Sequence, residues 1–241
     1  MAPGASNEAV LQTWAEGRAA SPGERGLMLL RIAEPGLPEA EGGALTVGQR
    51  DAALLDLFER LFGATLPVLT DCPACAEALE LDVPVAAIRA PAGQAGPLHL
   101  DMAGRRIAFR LPVAADLAVL GSGGTAGSGG MAHWLARRCA VPAGEVLDDH
   151  AVAALEAALD AAVLRCDPQA VVTLDFACPR CGRGWSARLD IVEFLWRRVD
   201  VFVRDLLEDV HLLASAYGWS ERDILSLPSW RRRHYLERLG A

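Results

Sequence analysis

Cys72-Pro73-Ala74-Cys75 and Cys178-Pro179-Arg180-Cys181-Gly182 are the residues whose types and spacing most directly imply chemistry. A Cys-x-x-Cys turn places two sulfurs on one side of a single ion, and two such turns supply the four thiolates that zinc takes tetrahedrally. The closed shell leaves no position for water or substrate, so zinc held by Cys72, Cys75, Cys178 and Cys181 would be structural. Two unrelated dithiols, or redox pairs of the thioredoxin kind, are the alternative. A thioredoxin motif opens a helix inside a βαβ unit, whereas strand-like runs follow both knuckles here. Gly182, after the second knuckle, can take positive φ and turn its amide toward a sulfur. Ala76 stands at the matching place in the first and is expected to do so at a modest steric cost.

The elements that must position these turns follow from capping and periodicity. Three helices are expected before the first knuckle. One follows Ser6 through Val10, Leu11 and Trp14; one opens at Ser21-Pro22-Gly23-Glu24 and ends at Pro35-Gly36; one runs from Thr46-Val47-Gly48-Gln49 to Gly63. The last two begin with capping boxes, in which a hydroxyl and an acid or amide three residues on satisfy free backbone N–H groups. Leu79, Leu81, Val83 and Val85 alternate with Ala78, Glu80, Asp82 and Pro84, the period of a half-buried strand with proline at an edge. Val171 to Phe176 alternate into the second knuckle, and Trp185, Ala187 and Leu189 alternate out of it, which predicts a hairpin with the metal at its tip.

A long helix is expected from Asp190 to Gly218. Ile191, Leu195, Phe202, Leu206, Leu213 and Tyr217 form its apolar stripe, and Arg197, Arg198, Arg204, Asp205, Glu208 and Asp209 a solvated face. Ser220 then caps a short helix, and Leu227-Pro228-Ser229 starts a last one that ends near Gly240. Between the two halves of the cysteine pattern, Arg106 to Val113 reads as a strand, 121–130 as a glycine-rich linker, and Met131–Cys139 and Asp148–Leu164 as helices. Gly121-x-Gly123-x-x-Ala126 imitates a dinucleotide fingerprint, but the glycines continue past it and leave no helix N-terminus for a pyrophosphate.

The expected fold is α+β and mainly helical, with N- and C-terminal helices around a small β zinc-ribbon-like core and a mixed insertion in the middle. Its divisions are an N-terminal helical segment (1–63), a discontinuous zinc-ribbon-like module (64–90 plus 167–190), the insertion (91–166) and a C-terminal helical segment (191–241).

At 241 residues with 52% hydrophobic content the chain can fill a core of its own. Its net charge of −8 argues against a general binder of nucleic acid or membrane surface. No apolar run approaches a membrane span and the N-terminus lacks a signal pattern, so a cytoplasmic protein is expected. In that reducing compartment six cysteines fit a metal site plus two spare thiols, Cys139 and Cys166, read as small buried hydrophobes. All 23 basic residues are arginine, which removes Schiff-base chemistry and the lysine of a phosphate-binding loop. Neither a Gly-x-Ser-x-Gly elbow nor His-Glu-x-x-His occurs, and His99, His133, His150, His211 and His234 fall in different elements. His211 has Glu208 and Asp209 as neighbours but no nucleophile beside it, so no enzyme is expected. The C-terminal helices read in two ways: a helix-turn-helix with an arginine-rich reader, or a docking surface anchored by Trp219, Trp230, Arg231, Arg232 and Tyr235.

The run from Val210 through Tyr217-Gly218-Trp219-Ser220-Glu221-Arg222-Asp223 to Leu227-Pro228, followed by Arg231-Arg232-Arg233 and Tyr235-Leu236-Glu237, resembles the C-terminus of the T-even-type phage baseplate family. Val47-Gly48-Gln49-Arg50-Asp51-Ala52 with Leu54-Leu55, Leu61-Phe62-Gly63, the first knuckle, and Cys178-Pro179-x-Cys181-Gly182 with Trp185 are similar to it as well. Ala76, where glycine is usual, and the glycine-rich linker depart from that pattern. The resemblance implies a baseplate hub protein or hub assembly chaperone of contractile tails and related injection systems. It further implies hub, spike or tape-measure proteins as partners.

Overall fold

The computed structural model describes residues 6–91, 93, 96, 98–102, 104–121, 130–141 and 147–240. Ser6 accepts a hydrogen bond from the Ala9 N–H at 3.1 Å and starts α1 (Asn7–Gly17). Ser21 with Glu24 and Thr46 with Gln49 form the expected capping boxes of α2 (Pro22–Ala33) and α4 (Val47–Phe62). Between them lies α3 (Glu39–Ala44), which its two glycines, poor helix formers, hide from a sequence pattern. The helices do not lead straight into the first knuckle. After Gly63 the chain forms β1 (Thr65–Asp71), paired antiparallel with β2 (Ala78–Pro84). Val85, expected as the end of that strand, instead begins a helical turn, α5 (Val85–Ile88), and is fully buried there.

In the middle block β3 (Leu98–Met102), β4 (Arg105–Phe109) and the later β5 (Ala140–Val141) make an antiparallel sheet in the order β3-β4-β5. The strand expected to reach Val113 stops at Phe109. Arg110 turns away to hold Asp116 with two hydrogen bonds of 2.7 and 3.0 Å, fixing the start of α6 (Ala114–Gly121). Next come α7 (Gly130–Cys139) and α8 (Asp149–Cys166), capped by Asp148; with the sheet they enclose a separate core of Ile107, Phe109, Val152, Leu155 and Leu159. Helix α6 does not join that core. It lies against α2, so closely that a Cβ on Gly23 would come within 2.6 Å of the Ala118 nitrogen. The glycine-rich stretch, with the fingerprint-like motif in it, lies at 122–129 outside the described residues.

A 3-10 turn (Pro168–Ala170) leads into the second hairpin, β6 (Val172–Ala177) and β7 (Gly184–Leu189). Asp190 caps α9 (Ile191–Tyr217), Gly218 ends it at φ 69°, and α10 (Glu221–Ser226) and α11 (Ser229–Leu239) complete the chain. The fold is α+β and mainly helical, with small sheets.

Helix α9 is the axis of the main core. Leu195, Val199 and Val203 on it and Leu29, Leu54, Leu57 and Phe58 opposite are all 0–1% exposed. Burial of each such side chain contributes about 1.5–3 kcal/mol. Phe58, Phe62, Phe194 and Phe202 add a chain of ring contacts with centroids 5.3–6.0 Å apart. Both hairpins are set into this core, the first by Leu66 and the second by Val172 and Phe176.

The chain leaves for the middle block near Ala90 and returns near Asp167, and two buried side chains hold these ends together. Gln169 accepts from the Ala90 N–H at 2.7 Å and donates to the Ile88 carbonyl at 3.2 Å. Asp167 accepts from the Thr46 hydroxyl and the Gly48 N–H, both at 2.8 Å, and so satisfies the positive N-terminus of α4. Gly48 makes this approach possible, since a Cβ there would meet the Asp167 carboxylate and stand 2.9 Å from the Ala170 nitrogen. Gly48→Ala is expected to lower stability by about 1–3 kcal/mol in urea unfolding. Gly36→Ala, with nothing within 4 Å of its Cβ, should change it by no more than about 0.5 kcal/mol.

Candidate metal centre

Both knuckles are the tips of hairpins built to one plan. Leu66 pairs with Val83 and Asp71 with Ala78 in the first; Val172 pairs with Leu189 and Ala177 with Gly184 in the second. In each, the first cysteine opens the turn and closes it with the same two backbone bonds. Cys72 N–H donates to Glu77 C=O and Ala76 N–H to Cys72 C=O, both at 2.9 Å. Cys178 N–H donates to Arg183 C=O at 2.9 Å and Gly182 N–H to Cys178 C=O at 3.0 Å. The residue after each second cysteine is left-handed, Gly182 at φ 71° and Ala76 at φ 54°, the one non-glycine residue with positive φ among those described. Leu79 and Trp185 occupy equivalent places beyond the turns and pack against the cysteines. Trp185 is held flat on Phe176 with ring centroids 5.2 Å apart.

The hairpins bring their tips together, and the four Sγ atoms lie within 4.8 Å of one another. Cys72 and Cys181 are 3.7 Å apart and Cys75 and Cys178 3.6 Å, so the close pairs run between knuckles. A disulfide needs about 2.05 Å, and all four thiols are free. A tetrahedral ion with metal–sulfur bonds of about 2.3 Å has sulfur–sulfur edges of about 3.8 Å. The four cysteines therefore fit, and could hold, one metal ion. Filling the shell with all four leaves no coordination site for a reactant.

The electrostatics of the site favour a cation. Burial raises the Cys72 thiol, but the N–H groups of Ala74 and Cys75 and the neighbouring sulfurs outweigh it and bring it down to about 7. The Glu77 N–H favours the Cys75 thiolate, yet burial and the three surrounding sulfurs push that thiol up to about 12. Cys181 is raised as well: the Arg183 N–H favours its thiolate, but burial and the sulfurs of Cys178 and Cys72 prevail. The Cys72 sulfur ionises readily, while its neighbours oppose ionisation of Cys75 and Cys181. A divalent ion between them removes that opposition and releases the protons. Cys72 and Cys178 are buried while Cys181 is exposed, so the cluster sits at the protein surface with its inner wall against Leu79 and Trp185. Arg180 of one knuckle pairs with Glu77 beside the other at 3.1 Å, a solvent-exposed contact of about 0–1 kcal/mol.

The remaining residues singled out in the sequence are dispersed. Cys139 is fully buried and its thiol is pushed up to about 12, chiefly by burial; Cys166 ends α8 and is half-buried. His133 lies between Glu156 at 3.3 Å and Arg137, His99 faces Asp101, and His150, His211 and His234 are exposed. At the C-terminus Trp219 stacks on Tyr217 at 4.8 Å and meets Tyr235 edge-on at 4.9 Å, while Trp230 stands 70% exposed. Arg232 does not present itself to a partner. It is 5% exposed and donates to Asp209 at 2.8 Å, which also takes Asp209 off the solvated face expected for α9. Arg233, exposed on the same helix, is a surface residue that nothing in its sequence neighbourhood sets apart from Arg232.

Among the described residues no helix is long and apolar enough to cross a membrane. The chain matches no protein-family model, no curated protein and no solved structure.

Cys178→Ser is expected to lower the bound metal and the melting temperature together, while Cys139→Ser retains the metal; metal analysis beside thermal unfolding reads both. An unchanged melting curve for Cys178→Ser would mean that no ion joins the hairpins. Gly182→Ala should cost about 1 kcal/mol for its left-handed backbone, and Ala76→Gly should not destabilise at all, as judged by urea midpoints.

Proposed function

We propose that this protein is a non-enzymatic assembly or structural protein of a contractile phage tail or phage-derived injection-system baseplate, stabilised by one structural zinc. The observation that carries the reading is the convergence of the four cysteines within 4.8 Å, which ties the two stretches of chain that resemble the baseplate family into one body. Zinc is the ion of choice because a tetrahedral shell of four thiolates suits zinc or iron, and zinc is redox-inert. Its place is at the junction of the two hairpins, where it would fix α9 and the helices after it relative to α2 and α4. Structural zinc contributes on the order of 10 kcal/mol of apparent binding free energy in small peptides, comparable with the net stability of a whole domain.

Hub, spike or tape-measure proteins are the partners in this reading, met through the exposed helices at the C-terminal end in the cytoplasm where tails assemble. A zinc-ribbon regulator of nucleic acid is the second reading, favoured by the arginines of α11, and opposed by the net charge of −8.

Purified protein is expected to contain roughly one zinc per chain by mass spectrometry, without the visible absorption of an iron–thiolate centre. Co-expressed with the hub, spike and tape-measure proteins of a contractile tail, the chain should co-purify with at least one. Absence of co-purification, together with duplex binding that weakens steeply with salt, would replace the assembly reading by the regulator.

A further inference from the structure

Helix α11 carries four arginines and one glutamate in a chain whose net charge is −8. At 3.6 residues per turn its side chains separate cleanly by angle. Arg232 and Leu236 point inward, where Arg232 is locked to Asp209 at 2.8 Å and also donates to the Leu227 carbonyl at 3.4 Å. The opposite face carries Trp230, with Arg233 and Glu237 on one side of it and His234, Arg238 and Arg231 on the other, all exposed. Among the described residues no carboxylate pairs with any of these three guanidinium groups. Arg231 rests over the Tyr235 ring at 5.9 Å, and Tyr235 is wedged against Trp219 and Tyr217. The helix is therefore held from beneath, while a tryptophan that shares its face with three arginines and one glutamate stays in water.

We propose that the outer face of α11 is a docking surface for an acidic, apolar segment of a protein partner, with Trp230 entering a pocket on it and Arg231, Arg233 and Arg238 pairing with its carboxylates. This names the partner chemistry of the assembly reading and rests on it for the partner's identity alone. An aromatic anchor set among arginines is the residue pattern of interface hot spots. A short acidic segment is a better complement than a nucleic acid. The cationic face spans one short helix, and Asp205 and Glu208, exposed on the adjoining α9, would oppose a polyanion extending beyond it.

The test uses the full-length, metal-loaded protein and a fluorescent peptide in which glutamates alternate with leucines, compared with a thymidine oligonucleotide of equal length. The peptide is expected to bind with salt-dependent affinity, weakened about tenfold by Trp230→Ala and at least as much by the triple change Arg231→Ala, Arg233→Ala, Arg238→Ala. Arg165→Ala, exposed on α8, should bind like the wild type. All these positions are at the surface, and unchanged metal content and melting temperature verify that each variant is folded. Peptide affinity untouched by Trp230→Ala, no peptide binding, or tighter binding of the oligonucleotide would each overturn the proposal. Co-purification with a tail protein that survives the Trp230→Ala change would overturn it while leaving the assembly reading intact. Peptide binding without any tail partner would do the reverse.

Discussion

Convergence of four sulfur atoms from distant segments within 4.8 Å is the constraint on which the rest of the structure depends. Bringing such segments together costs chain entropy that grows only as the logarithm of the loop between them, but it must be met somewhere. Here it is met twice. The knuckles meet at the tips of the hairpins, and nearer their bases Gln169 ties the segment before the second hairpin to the end of α5, and Asp167 ties it to the start of α4, by buried or half-buried hydrogen bonds of 2.7–3.2 Å. The sulfur cluster therefore sits at the end of a lever already anchored in the apolar core by Leu66, Val172 and Phe176. The core sets the approach of the hairpins, and the sulfurs fix their tips.

The two hairpins repeat one pattern down to the backbone bonds, and they differ in the helix that each one launches. Val85 and Ile191 are equivalent, both buried, and both start helices at the end of the hairpin, Val85 directly after β2 and Ile191 one residue after β7. The first helix is over in four residues, with Pro91 soon after it; the second runs for 27 and becomes the axis of the core. One motif thus serves once as an entry to the middle block and once as the base of the principal helix.

Much of this was legible in the sequence because it rests on local chemistry. The capping boxes at Ser21 and Thr46, the extent of α9 between Asp190 and Gly218, the hairpin around the second knuckle and the left-handed backbone at Gly182 are all set by residues a few positions apart. Tertiary effects were not legible. Strand β1 carries Pro67 in its interior and Leu69, 77% exposed, on its outer face, so it shows no clean alternation. Helix α6 gives no sequence sign that it belongs on α2 rather than with the rest of the middle block. Arg232 is indistinguishable by type from its neighbours, and only the position of Asp209 on another helix shows that it is used internally. The pairing of sulfurs was readable as a set of four; that the close contacts cross between knuckles was not.

The stitch at Ala90 and Gln169 has an architectural consequence. Because the polypeptide departs and comes back through one doorway, the excursion between can grow, shrink or be exchanged with little effect on how the hairpins meet. Its own enclosed core of Ile107, Phe109 and Leu155 makes it a self-sufficient annex. The tether that limits this freedom is α6, whose seat on α2 couples the annex to the main building at a second point. A change of length in the middle block that spares α6 would therefore reach neither the sulfurs nor the axis helix.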